Sequence, residues 1–111
     1  MFLFTSRGFT SVSMDEALAN MRQSEGYRLI DVRTPGEFAR GHLPGAENLP
    51  NETIVSGETV EALPDLQQTL YVYCRSGSRS KQAARKLAAA GYTNIIECGG
   101  VLDYTGPLVT D

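Results

Sequence analysis

Leu70-Tyr71-Val72-Tyr73-Cys74-Arg75-Ser76-Gly77-Ser78-Arg79-Ser80 passes from one kind of structure to another within a few residues. Leu70 to Tyr73 are β-branched, aromatic or aliphatic and fit a strand. Arg75 to Arg79 form a small loop containing one glycine and two hydroxyl residues. From Ser80 to Ala90 a helix is expected, with Ala83, Ala84, Leu87 and Ala88 on one face, Lys81, Arg85 and Lys86 on a solvated one, and Gly91 as its stop. Asn94-Ile95-Ile96-Glu97-Cys98 then reads as another strand ending at Gly99-Gly100. Strands that alternate with helices at this spacing predict an α/β fold with a parallel sheet covered on both faces. Ligands in such folds bind beyond the carboxyl ends of the strands, where Cys74 stands.

The upstream half repeats the alternation. Ser13 and Glu16 have capping-box spacing, so a helix starts there, with Met14, Ala17, Leu18 and Met21 as its apolar stripe and Gly26 as its stop. The methionines read as core, not as a ligand set. Arg28 to Arg33 reads as a buried strand with its charged ends at the sheet edge, stopped by a Thr34-Pro35-Gly36 turn. Glu37, Phe38 and Ala39 form a brief helix closing at Gly41. Residues 51 to 69 show no clear pattern, although Val60 to Leu63 fit a helical turn stopped by Pro64.

The chain has 111 residues, 13 acidic and ten basic side chains and a net charge of −3, with 41% hydrophobic residues. These values suit one soluble domain over 1–111 with its own core. The acidic excess argues against nucleic acid. No stretch approaches the roughly 18 to 20 apolar residues of a membrane span. Thr5, Ser6 and Arg7 interrupt the apolar opening Met1 to Phe4, so no export signal is visible and a cytoplasmic protein is expected, unless a signal has been removed. Two cysteines and one histidine supply neither a disulfide framework nor a metal site. No cofactor is called for.

The loop at Cys74 carries the chemistry. Such a loop turns successive backbone N–H groups inward, and the following helix adds its unsatisfied amides and partial positive charge. With Arg75 and Arg79 nearby, these influences favour thiolate over thiol and so lower the cysteine pKa. A free cysteine is more often inert packing. The glycine-containing loop and two arginines, which packing would not need, favour the reactive reading. Cys98 reads as a packed small hydrophobe, or as a resolving thiol if the sheet brings the two strand ends together. His42, between Gly41 and Pro44, reads as a local hydrogen-bonding group, with a Cys–His dyad as the alternative. Asp31, Arg33 and Glu37 are spaced for a structural ion network. Residues 75 to 86 hold five basic and no acidic side chains, leaving five basic against 13 acidic elsewhere, or −8. The expectation is an electropositive patch beginning at Cys74, suited to a small anion.

Four motifs in order, Asp31-Val32-Arg33 with Glu37-Phe38, Gly41-His42-Leu43-Pro44-Gly45-Ala46 with Asn48-Leu49-Pro50, Tyr73 to Ser80, and Gly99-Gly100, resemble the signatures of the rhodanese family over about residues 13–104. The resemblance implies a five-stranded parallel sheet flanked by helices and a thiosulfate sulfurtransferase-like activity. It assigns Cys74 as nucleophile and persulfide carrier, and the amides of Arg75, Ser76, Gly77, Ser78 and Arg79 as the cradle of the transferred sulfur. The Arg75 and Arg79 side chains would attract the donor, a small sulfur-bearing anion. Asp31, Arg33 and His42 are supporting candidates. The acceptor would be cyanide, a small thiol or a thioredoxin-like protein. A carrier that delivers sulfur to a protein partner, with little turnover of small acceptors, is the alternative. Related phosphatases space Cys and Arg one residue further apart; the C-x4-R spacing of Cys74 and Arg79 suits sulfur better than phosphate. Two departures stand out: Tyr104 where many members have Trp, and residues 51–69, which match nothing distinctive.

Overall fold

The computed structural model describes residues 8–111. The apolar opening Met1 to Phe4 and the Thr5, Ser6 and Arg7 that interrupt it lie outside the described residues. Its organising element is the strand formed by Leu70–Cys74, buried at all five positions. In chain order the elements are β1 (Thr10–Ser11), α1 (Met14–Arg22), β2 (Arg28–Asp31), α2 (Pro35–Arg40), β3 (Ala46–Asn48), β4 (Leu70–Cys74), α3 (Ser78–Ala89) and β5 (Ile95–Gly100). Short 3-10 turns occupy Asn51–Thr53 and Val101–Asp103. The sheet has five parallel strands in the order β1-β5-β4-β2-β3. No helix among the described residues is long and apolar enough to cross a membrane.

Side chains alternate across a strand, and that alternation builds two cores. Leu70, Val72 and Cys74 face α3, packing with Ile30, Val32, Ala83, Ala84 and Leu87. Tyr71 and Tyr73 face α1, packing with Leu29, Met14, Ala17, Met21 and Cys98. The α1 and α3 stripes therefore bury as expected, one on each face of the sheet.

Several expectations are corrected. The two-residue β1 is too short to leave a pattern in the sequence. In α1 the Ser13 hydroxyl accepts from the Glu16 N–H at 3.0 Å, one half of the expected box, and the helix ends at Arg22, ahead of Gly26. The reciprocal capping box forms instead at Thr34 and Glu37: the supposed Thr34-Pro35-Gly36 turn is the start of α2, with Pro at a position where its missing N–H costs nothing. β2 is an interior strand, and its charged ends are not at an edge. Arg28 pairs with Glu47 of β3, while Asp31 and Arg33 are buried. α3 begins two residues early, at Ser78, and β5 extends through both glycines. Val60 to Leu63 make a single hydrogen-bonded turn, Leu63 N–H to Val60 O at 2.9 Å. The Tyr92 hydroxyl pins that stretch, accepting from Val60 N–H at 2.9 Å and donating to Leu63 O at 2.6 Å.

Candidate active site

Cys74 is the last residue of β4, and the ladder to β5 shifts register between Val72 and Cys74. The chain then turns through Arg75 and Ser76 to Gly77, whose φ of 114° lies in the region that favours glycine, and enters α3. The turn brings the Gly77 N–H to 3.0 Å from Cys74 Sγ and places Ser80 Oγ at 3.5 Å. Burial works against ionising this cysteine. The Ser80 hydroxyl and the N–H groups of Ser80, Gly77 and Ser76 outweigh it and hold the thiol below its ordinary range.

The paired glycines at the end of β5 let the loop exist. A side chain at Gly100 would place its Cβ 2.1 Å from the Arg75 carbonyl oxygen and 2.6 Å from the Ser76 nitrogen. The same carbonyl accepts a hydrogen bond from Leu102 N–H at 3.1 Å.

The arginines are not arranged as the sequence suggests. Arg79 turns to Glu37 of α2, with contacts of 2.6 and 3.0 Å, and so makes a bidentate ion pair with that carboxylate and no hydrogen bond to the sulfur. This pairing holds Glu37 down at about 2. Lys81 lies 3.4 Å from Glu97, and Lys86 donates to the Asn51 carbonyl at 2.9 Å. Three of the five basic residues of the expected patch are thus engaged. Among the described residues Arg75 makes no ion pair. It is exposed and lines a cavity of about 240 Å³ with Arg33, Glu37, Arg40, Val101 and Leu108.

Asp31 and Arg33 form a buried bidentate pair at 2.7 Å, and Arg33 also donates to Gly41 O at 2.6 Å. Their network braces the turn that leads into β3, and Glu37 belongs to Arg79 instead. His42 is buried with its ring stacked on Phe38 at 3.7 Å; Nδ1 lies 2.9 Å from Phe38 O and Nε2 3.8 Å from Asp111. Both ring nitrogens are directed at these partners and not at Cys74, so the dyad alternative is not formed. Cys98 lies on the α1 face of the sheet while Cys74 lies on the other. Burial pushes the Cys98 thiol up to about 12, and its place opposite Cys74 removes it as a resolving partner.

Sequence reasoning missed Glu97, which is 1% exposed and accepts from Ser80 Oγ at 2.7 Å. Its signal was present: a carboxylate inside the apolar run Ile95-Ile96-Glu97-Cys98.

Comparison with known proteins gives the family to which this fold belongs. The family model described as "Rhodanese-like domain" matches residues 13–104. Thiosulfate sulfurtransferase PspE of Escherichia coli is 39% identical over 80 residues, covering 72% of this chain and 76% of that protein. Thiosulfate sulfurtransferase 18 of Arabidopsis thaliana is 32% identical, covering 90% and 85%. Among solved structures, the human single-domain sulfurtransferase TSTD1 superposes with a TM-score of 0.71 at 32% identity, covering 86% of this chain and 97% of that one. A five-stranded parallel sheet with a glycine-hinged cysteine loop at one strand end, matched over this span, places the chain in the rhodanese-like domain family.

Proposed function

We propose that this rhodanese-type enzyme is a sulfurtransferase that carries sulfur from thiosulfate to cyanide or a thiol on Cys74. The observation that carries the reading is the cysteine loop, in which, against burial, the Ser80 hydroxyl and the N–H groups of Ser80, Gly77 and Ser76 favour the Cys74 thiolate. In the first half-reaction the thiolate attacks the outer sulfur of thiosulfate. The S–S bond breaks, sulfite leaves with its electron pair, and Cys74 becomes a persulfide. In the second, cyanide or a thiolate attacks the terminal persulfide sulfur and displaces the Cys74 thiolate. Splitting one transfer into two displacements is covalent catalysis with ping-pong kinetics.

The terminal persulfide sulfur is anionic, and a loop of inward N–H groups at a helix start suits it. Arg79 is occupied by Glu37. Donor recognition therefore falls to Arg75, with Arg40 across the same cavity.

The test is thiocyanate formation from thiosulfate and cyanide. Wild type should turn over and Cys74→Ser should not. Arg75→Ala should raise KM for thiosulfate about tenfold, the loss of one bond to a charged group, with kcat nearly unchanged. Equal rates for wild type and Cys74→Ser would overturn the proposal. Loading of Cys74 without discharge to cyanide would instead point to a carrier.

A further inference from the structure

Glu97 is a carboxylate inside a sheet, which is costly unless it is well partnered. Its partners converge from two strands and one helix: Ser11 Oγ of β1 at 2.9 Å, Ser80 Oγ of α3 at 2.7 Å, Gly99 N–H of β5 at 2.8 Å, and Lys81 Nζ of α3 at 3.4 Å. Ser80 is the one that also touches Cys74.

A serine hydroxyl has one proton to give. Within its reach lie Glu97 Oε2 at 2.7 Å, Gly77 O at 3.0 Å, Gly99 O at 3.4 Å and Cys74 Sγ at 3.5 Å. The bond to the carboxylate is the shortest and is charge-assisted, so it takes the proton. With Cys74 as a thiol the arrangement is consistent: S–H donates to Ser80 Oγ, and Ser80 O–H donates to Glu97. When Cys74 ionises, its sulfur becomes an acceptor, and Ser80 can serve it only by releasing Glu97.

We infer that Glu97 is a positioning residue for the Cys74 reaction: it competes with Cys74 for the Ser80 proton, weakening the help that hydroxyl gives the sulfur and leaving most of it to the backbone N–H groups of the loop. The inference rests on Cys74 being the nucleophile. Its consequence is a thiolate less stabilised than the loop could make it, and a less stabilised thiolate attacks sulfur faster. The charged groups around the pair are few. Lys81 offsets part of the Glu97 charge, while Asp15 and Glu16 of α1 and Asp103 line a second cavity together with Glu97 and Lys81. Arg79 faces Cys74 at longer range but is held by Glu37, and the neighbouring Cys98 remains a thiol.

The experiment is the pH dependence of Cys74 alkylation by iodoacetamide on the full chain, with the modified peptide identified by mass so that Cys98 does not contribute. Four proteins are compared: wild type, Glu97→Gln, Ser80→Ala and the double variant. Glu97→Gln should move the midpoint down and lower the plateau rate. That downward shift should be larger, by about half a pH unit or more, with Ser80 present than in the Ser80→Ala background, because only the serine has a proton to redirect. Equal shifts would mean that Glu97 acts by charge alone and would overturn the inference, as would an upward shift. Ser80→Ala by itself should raise the midpoint by less than about half a unit; a larger rise means the sulfur already holds the Ser80 proton, which also overturns it. If Glu97→Gln does not fold, Glu97→Asp keeps the charge but draws the carboxylate back, and the same criterion applies. Alkylation reads the thiol whether or not sulfur is transferred, so failure of the sulfurtransferase reading would show separately in the thiocyanate assay.

Discussion

At Gly100 the backbone is extended, with φ of −160°, so any residue could adopt it. What forbids a side chain is space, since the Arg75 carbonyl and Ser76 nitrogen occupy the place of a Cβ. Gly100→Ala should therefore push the cysteine loop off its amide geometry and cut sulfur transfer at least about tenfold, the scale at which misplacement of a reacting group acts. Transfer at the wild-type rate would show that the loop tolerates the displacement. The paired glycines were legible as a motif, but their purpose was not, because the contact joins residues from two different strands. The placement of the two cysteines on opposite faces of the sheet likewise follows only from strand parity. Cys74 follows Leu70 and Val72 onto the α3 face, and Cys98 falls on the other, a relation that depends on a register shift no single strand records.

Between elements, the Arg79–Glu37 bridge ties the first turn of α3 to the first turn of α2. Glu37 drops from an ordinary 4.5 to about 2, first because of Arg79 and further because of the Thr34 N–H and hydroxyl. A carboxylate depressed in the folded state contributes stability that is complete above its unfolded value and disappears as pH falls through the folded one. The bridge should thus stabilise the protein fully above about pH 4.5 and lose its effect towards pH 2. Denaturant midpoints measured from pH 6 to pH 2 should fall less steeply for Glu37→Gln than for wild type; parallel curves would show that the bridge adds nothing. The sequence suggested Arg79 as a partner of the sulfur because Cys74 is near it along the chain. Its actual partner is 42 residues away, and only the docking of α2 brings it within reach. Elements with a strong internal period, α1 and α3, were readable; α2, six residues with none fully buried, was legible only through its cap.

Across the whole molecule, the β1-β5-β4-β2-β3 order places β4 inside the sheet and exposes its carboxyl end to the loop, the start of α3 and the end of β5. The α/β alternation and the ordered motifs were enough to foresee a five-stranded parallel sheet with helices on both faces, but not its strand order. Residues 51–69 were not legible, because they are held by long-range bonds such as those of the Tyr92 hydroxyl, and not by a local period. The charge distribution read from sequence was also incomplete. Glu37 and Glu97, distant along the chain, fold back onto Arg79 and Lys81 and leave Arg75 as the basic side chain of the loop without an ion pair among the described residues. The central claim is that this frame exists to hold a sulfur on Cys74. Its most direct test is intact mass after incubation with thiosulfate and removal of small molecules. Wild type should gain the mass of one sulfur atom, localised to the Cys74 peptide and lost on adding cyanide, while Cys74→Ser gains nothing. No gain in wild type, or a gain that persists in Cys74→Ser or maps to Cys98, would contradict the account.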